Sequence, residues 1–169
     1  MIAFIHQKLE KLISYIGYLC TGLMLLMIAN VFYDVVMRYF FNDVSIGMQE
    51  LEWHLFAAMF MFGIGFTLKE DAHVRVDVFY EKLSKKKQAI IDILAAVFFA
   101  LPIAFIVMYY GYSYAFDAYE IMEKSPDPGG LPYRWIIRSV IPISNGFLLL
   151  CIVYTILNNV LTLQNKEVV

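Results

Sequence analysis

Cysteine, histidine and net charge are all scarce in this sequence, and each scarcity removes a class of function. The net charge of the 169-residue chain is only −2, which gives nucleic-acid binding no electrostatic support. The two cysteines, Cys20 and Cys151, both lie in apolar runs. Neither a disulfide framework nor a CxxC redox pair can be built from them, and they read as small packing residues. No Walker, nucleophile-elbow or zinc-ligand spacing occurs. There is no low-complexity tract and no evident internal repeat.

What the chain has in excess is apolar residues, 61% of the total, with 17% aromatic. A soluble domain is nearer half apolar, and here the excess is gathered into blocks, as in a membrane protein. Windows nearly free of charge fall at residues 12–33, 53–68, 93–116 and 139–165. Lipid offers no partner for a bare backbone N–H or C=O, so runs this long must be helices. The expectation is an all-α integral membrane protein of one domain, residues 1–169. Its four transmembrane helices cover about 12–37, 49–69, 90–116 and 139–163. The first run is too long for a secretory signal and lacks a cleavage signature, so it is expected to be retained. Before it, Ile2, Ile5, Leu9, Leu12, Ile13 and Ile16 recur every three or four residues. That spacing predicts a short amphipathic N-terminal extension at the interface, or one continuous helix that protrudes.

The segment KEDAHVRVDVFYEKLSKKK, residues 69–87, carries six basic and four acidic residues between two greasy runs. With Lys8, Lys11 and Lys166 it brings nine basic residues to one side, against Arg38, Lys124, Arg134 and Arg138 on the other. Basic residues favour the cytoplasmic side. Both termini and a loop at 69–89 are therefore expected inside, and a loop at 117–138 outside. Pro126, Pro128, Gly129, Gly130 and Pro132 mark a turn or irregular segment in that outer loop. Tyr133 and Trp135 there, like Trp53 at the start of the second span, suit headgroup depth. The outer loop reads as a stiff connector or as a docking surface for a partner.

The second window has only 16 charge-free residues, about 24 Å as a helix, short of about 30 Å of hydrocarbon. Extending it backward brings Glu50 and Glu52 to the outer boundary, where a buried carboxylate needs a partner. Arg38 is the nearest cation in sequence, so an Arg38–Glu50 or Arg38–Glu52 contact is expected. The span middles carry no Asp, Glu, Lys or Arg, which argues against a self-sufficient transporter. Pro102 should kink the third helix, and Pro142 should sit in the first turn or so of the fourth. Only His54 lies near membrane depth, which speaks against a haem held by two histidines. No cofactor, metal or catalytic residue is expected.

The end of the first span, VVMRYFFN, is followed by QELEWHLFAAMFMFGIGFTLKEDAHVRVDVFYEKLS and later by GGLPYRWIIRSVIPI. In order and spacing these resemble the small membrane subunit of tripartite ATP-independent periplasmic (TRAP) transporters, the DctQ-like family. The resemblance covers essentially the whole chain. It implies a non-enzymatic, non-substrate-binding subunit of a sodium-coupled importer of a carboxylate-type solute in the bacterial inner membrane. Its partners would be a large multispanning permease subunit, which it scaffolds, a periplasmic solute-binding protein and phospholipids.

Within that frame His73, Arg75 and Asp77 match the post-span motif. Their alternation with valines suggests an extended or re-entering corner in which Arg75 and Asp77 pair locally. Arg38, Glu50, Glu52, Arg75 and Asp77 are candidates for inter-helix or subunit contacts. Lys82, Lys85, Lys86, Lys87, Trp53 and Trp135 are candidates for lipid contact. Asp117, Glu120, Glu123, Asp127, Arg134 and Arg138 are candidates for periplasmic docking. The competing possibilities are a membrane anchor of a respiratory oxidoreductase, which would want haem or quinone, and a quinone-linked thiol oxidase, which would want outward-facing cysteine pairs.

Overall fold

A computed structural model describes residues 2–70 and 80–164. Four helices account for most of them: α1 (Ile2–Phe40), α2 (Ile46–Lys69), α3 (Lys85–Glu120) and α4 (Trp135–Leu163). All four are long and apolar enough to cross a membrane. Each is longer than the apolar window that announced it, because the helix carries on through the flanking polar residues.

The N-terminal segment is not a separate element. It is the first part of α1, a single helix of 39 residues, about 58 Å long. Such a helix must tilt or protrude from about 30 Å of hydrocarbon. Its buried stripe also differs from the aliphatic one. His6 and Ile13 are buried and Leu9 is half-buried, whereas Ile5 and Leu12 are exposed. The reason is a neighbour: His6 stacks on Tyr154 of α4 at 4.4 Å, and Ile13 joins a cluster with Phe147, Cys151 and Tyr154.

α1 lies along α2, α2 along α4, and α4 along α3, with α1 reaching α4 through its early turns. The main joints thus follow the order α1–α2–α4–α3. Lipid supplies no hydrophobic drive between helices, so close approach of backbones must hold them together. Each joint contains a glycine where a Cβ would collide. Gly17 lies under Phe66, Gly65 under Phe147 and Cys151, and Gly111 under Ile141 and Pro142. On α3, Ala89, Ala96, Ala104, Gly111, Ala115 and Ala118 are buried, at steps of three, four, seven or eight. That row of small residues is the seam with α4. Large residues face outward instead: Tyr18, Phe32, Phe98 and Tyr110 are about 70% exposed, as suits side chains in lipid.

The prolines are absorbed in two ways. Before Pro102, α3 widens into a π turn at Ala96–Ala100, with the Leu101 N–H reaching Ala96 O. The extra residue makes room where the ring would crowd the carbonyl of Phe98. Pro142 lies two turns inside α4, not in its first turn, because α4 begins at Trp135. There its ring packs against Gly111, and the side chains of Ser144 and Asn145 both donate to the carbonyl of Ile141.

The helix ends follow local chemistry. Asn42 takes the left-handed conformation (φ 51°) just past α1, and the Asp43 N–H turns back to Met37 O. Asn tolerates that conformation better than most residues. α3 closes with Met122 left-handed (φ 47°), Glu123 N–H bonding Ala118 O and Met122 N–H bonding Tyr119 O. This is the Schellman pattern.

Candidate functional site

Glu50 and the acidic and basic residues singled out for docking gather near the α3–α4 connection, residues 121–134, whereas Lys82, Lys85, Lys86 and Lys87 lie at the other end of α3. The connection is tied to itself first. Arg134 N–H bonds Glu123 O at 2.9 Å and Ser125 N–H bonds Leu131 O at 3.1 Å. At its tip Asp127-Pro128-Gly129-Gly130 closes with Gly130 N–H to Asp127 O at 3.0 Å, and Gly129 has φ +83°. Proline at the second position and a left-handed glycine at the third make a type II turn.

That closed loop is then docked on α2. Ser45 caps α2, its hydroxyl accepting from Met48 N–H. One turn on, Glu50 is 7% exposed. One oxygen of its carboxylate accepts from the Ser125 hydroxyl, and the other from Leu131 N–H at 2.6 Å. Bonds to a carboxylate are about twice as strong as neutral ones. A side chain at position 130 would not fit: a Cβ there would lie 2.5 Å from Ser125 Cβ and 2.9 Å from Glu50 Oε2.

A second tie joins the base of the loop to the helices. Arg138 of α4 bonds Glu123 at 2.6 Å, and its guanidinium lies 4.0 Å from the centre of the Tyr114 ring of α3. Trp135 stands edge-on to Tyr119 beside it.

The expected Arg38–Glu50 or Arg38–Glu52 contact is replaced. Arg38 binds Asp34 one turn back on its own helix, and Glu50 is held by the loop. An intrahelical partner at i−4 costs less chain ordering than one across a helix joint. Glu52 is half-buried beside it. The α1–α2 joint is tied instead by Asn30, whose amide donates to Met48 O at 2.9 Å.

Of the docking candidates, Asp117, Glu120 and Asp127 are exposed, whereas Glu123 and Arg138 are engaged with each other. Arg134 is half-buried and borders an open cleft with Gln49, Glu50, Trp53 and Asp127. Of the lipid candidates, Trp53, Lys82, Lys85, Lys86 and Lys87 are exposed and Trp135 is half-buried. His73, Arg75 and Asp77 lie outside the described residues, as does most of the corner expected from their alternation. Its far edge is visible, where the Tyr80 hydroxyl donates to Asp92 at 2.6 Å.

Sequence reasoning missed Asn30, Asp34 and Ser125. Asn30, Asp34 and Arg38 recur every four residues on one face of α1, a signal that could have paired the last two.

Comparison with known proteins supplies the context for this geometry. The family model for the DctQ component of tripartite ATP-independent periplasmic transporters matches residues 27–162. The chain belongs to this family. It is a family of membrane transport components and not of enzymes, which sets aside the oxidoreductase alternatives. The chain is also 32% identical over 107 residues to a Haemophilus influenzae protein that goes by the name of a TRAP transporter small permease protein. That match covers 63% of this chain and 62% of the relative. The family model takes in about the last four turns of α1, the Glu50 site, the loop and nearly all of α4. It leaves out the first 26 residues of the chain.

Proposed function

We propose that the chain is the small, non-substrate-binding membrane subunit of a sodium-coupled TRAP transporter for a carboxylate-type solute. It binds the large permease subunit and widens that subunit's static scaffold. The observation that carries this is the match to a family of transporter components over residues 27–162, on a fold of four apolar helices joined in the order α1–α2–α4–α3. Sodium coupling and an acidic solute follow from the likeness to the family.

Both termini face the cytoplasm in this proposal, and the α3–α4 loop faces the periplasm of a bacterial inner membrane. The lysines at the start of α3 support that orientation. Lys85, Lys86 and Lys87 open the helix with no acidic residue in its first turn. A helix N-terminus disfavours positive charge, so these lysines serve something other than the helix. Anionic headgroups of the cytoplasmic leaflet attract each basic residue by about 1 kcal/mol. At the opposite end, the exposed carboxylates Asp117, Glu120 and Asp127 are offered to the periplasmic solute-binding protein through a transient, salt-sensitive contact.

Mild-detergent capture of the tagged chain from its native membrane, followed by mass spectrometry and a visible spectrum, tests the proposal. A stoichiometric, much larger multispanning protein without a haem band is expected. Capture of flavin or iron–sulfur subunits with a haem band would overturn it.

A further inference from the structure

The Glu50 carboxylate occupies an odd place. It is buried and charged at the end of a membrane helix, yet no cation is bonded to it among the described residues. Both oxygens are taken up by the loop, one by a hydroxyl and one by a backbone N–H, from residues 125 and 131. These two donors bracket the type II turn and lie opposite each other across the Ser125–Leu131 backbone bond. Glu50 therefore grips the loop at its waist. Apart from that grip the loop backs onto Gly47 of α2 through Gly129 and Leu131 and is tied at its base by Arg138 and Glu123. Between them, Leu131, Pro132 and Tyr133 of the loop, His54 and Leu55 of α2, and Ile137 and Val140 of α4 line an open cavity of about 370 Å³. The His54 Nε2 finds no hydrogen-bond partner among the described residues.

From this we infer that Glu50 is a latch: it holds the α3–α4 loop on α2 in the one shape that receives the soluble binding protein. Glu50 is a positioning residue and does not touch that partner itself. The exposed turn at 126–129, with Asp127, is the part presented. The inference deepens the proposed docking role and rests on it for the identity of the partner. The grip itself rests only on geometry.

Two measurements separate the grip from the docking. The first uses trypsin on the purified full chain and follows cleavage at the exposed Lys124, next to the Ser125 that Glu50 holds. Glu50→Ala and Ser125→Ala each remove a bond to a charged group, so cleavage should be roughly tenfold faster than in the wild type. Ser125→Thr, which keeps the hydroxyl, should cleave at nearly the wild-type rate. The second measurement uses the chain reconstituted with its large subunit in liposomes and titrates the soluble binding protein of the same transporter. Ser125→Ala should raise the concentration giving half-maximal uptake several-fold, leave the plateau rate unchanged, and leave the large subunit co-purifying.

Unchanged cleavage in both alanine variants would overturn the latch. Faster cleavage with an unchanged half-maximal concentration would overturn its role in docking. If the wild-type complex shows no response to the binding protein, the proposed function fails instead, and the cleavage comparison still decides the grip.

Discussion

Replacing Gly65 by alanine adds one methyl group at the joint between α2 and α4, and the structure says where it would go. The new Cβ would lie 2.7 Å from Phe147 Cε1, 3.0 Å from Phe147 Cδ1 and 2.9 Å from Cys151 Sγ. Carbon atoms sit comfortably at about 3.5–4.0 Å, so ring and helix must part by about 0.8 Å. Neither neighbour gives easily. Cys151 is fully buried, Phe147 is 7% exposed, and both pack in the cluster that also holds Ile13 of α1. Overpacking of this kind costs about 1–3 kcal/mol. Gly63, two residues earlier on the same helix, has nothing within 4 Å of the corresponding position. There alanine only improves helix propensity, by up to about 1 kcal/mol. The same chemical change at two nearby sites should therefore differ by about 2–4 kcal/mol. Reversible unfolding in mixed micelles, followed by circular dichroism over a denaturing-detergent titration, measures the difference. Adding Phe147→Leu, which removes the ring edge that clashes, should recover part of the loss at position 65 and none at position 63. A Gly65→Ala protein as stable as Gly63→Ala would refute the idea that backbone approach at glycines sets the helix spacing.

The other predictions concern polar groups. Exchanging Arg38 and Glu50 should give no recovery over the single variants, whereas Arg38 and Asp34 should couple in a double-mutant cycle. That coupling should be only about 0.3–0.5 kcal/mol, because the Arg38 side chain is 42% exposed and water screens such pairs; a larger Arg38–Glu50 term would restore the contact expected from the sequence. His6→Phe should keep the stack on Tyr154 while removing two buried nitrogens that find no partner among the described residues. Its thermal midpoint should match or exceed the wild type, whereas His6→Ala should lose about 1–3 kcal/mol of packing. Equal losses in both variants would mean that the imidazole bonds to something.

The helices were legible because their signal is repetitive: a long apolar alphabet without charge admits one backbone solution in lipid. Their ends were less so. The apolar window that opens at residue 93 belongs to a helix that begins at Lys85, since lysine and glutamine continue a helix as well as leucine does. The turn was half legible. Asp-Pro-Gly-Gly announced a bend, but not that Ser125 and Leu131 on either side of it would aim their donors at one carboxylate 75 and 81 positions away. That tie is long-range, and no local pattern encodes it. Glu50 was found for the right reason, a carboxylate too deep to be free, and given the wrong partner, because nearness in sequence is a poor guide across a helix joint. The burial of His6 was illegible for a related reason. Polar by type, it lay among the residues between the aliphatic stripe, yet the stacking face of Tyr154 lies 148 positions later.

A path for an ion or an acid through a membrane needs polar side chains that face one another at depth. The polar residues inside these helices are spent otherwise. Asn30 donates to the backbone of α2, Ser144 and Asn145 to the carbonyl before them, and Thr155 and Asn159 to their own helix. Each such bond closes a seam or a turn and offers nothing to a passing solute. The aromatic bulk of α1 and α3 meanwhile points away from the joints, so the layer presents greasy faces and keeps its charge for its two ends. In the proposed role, such a subunit guides transport by fixing the position of what is bound to it. On that proposal the rigidity of its ends matters as much as that of its middle, and at the loop end it is supplied by the Glu50 carboxylate with its two donors and by the Arg138–Glu123 pair.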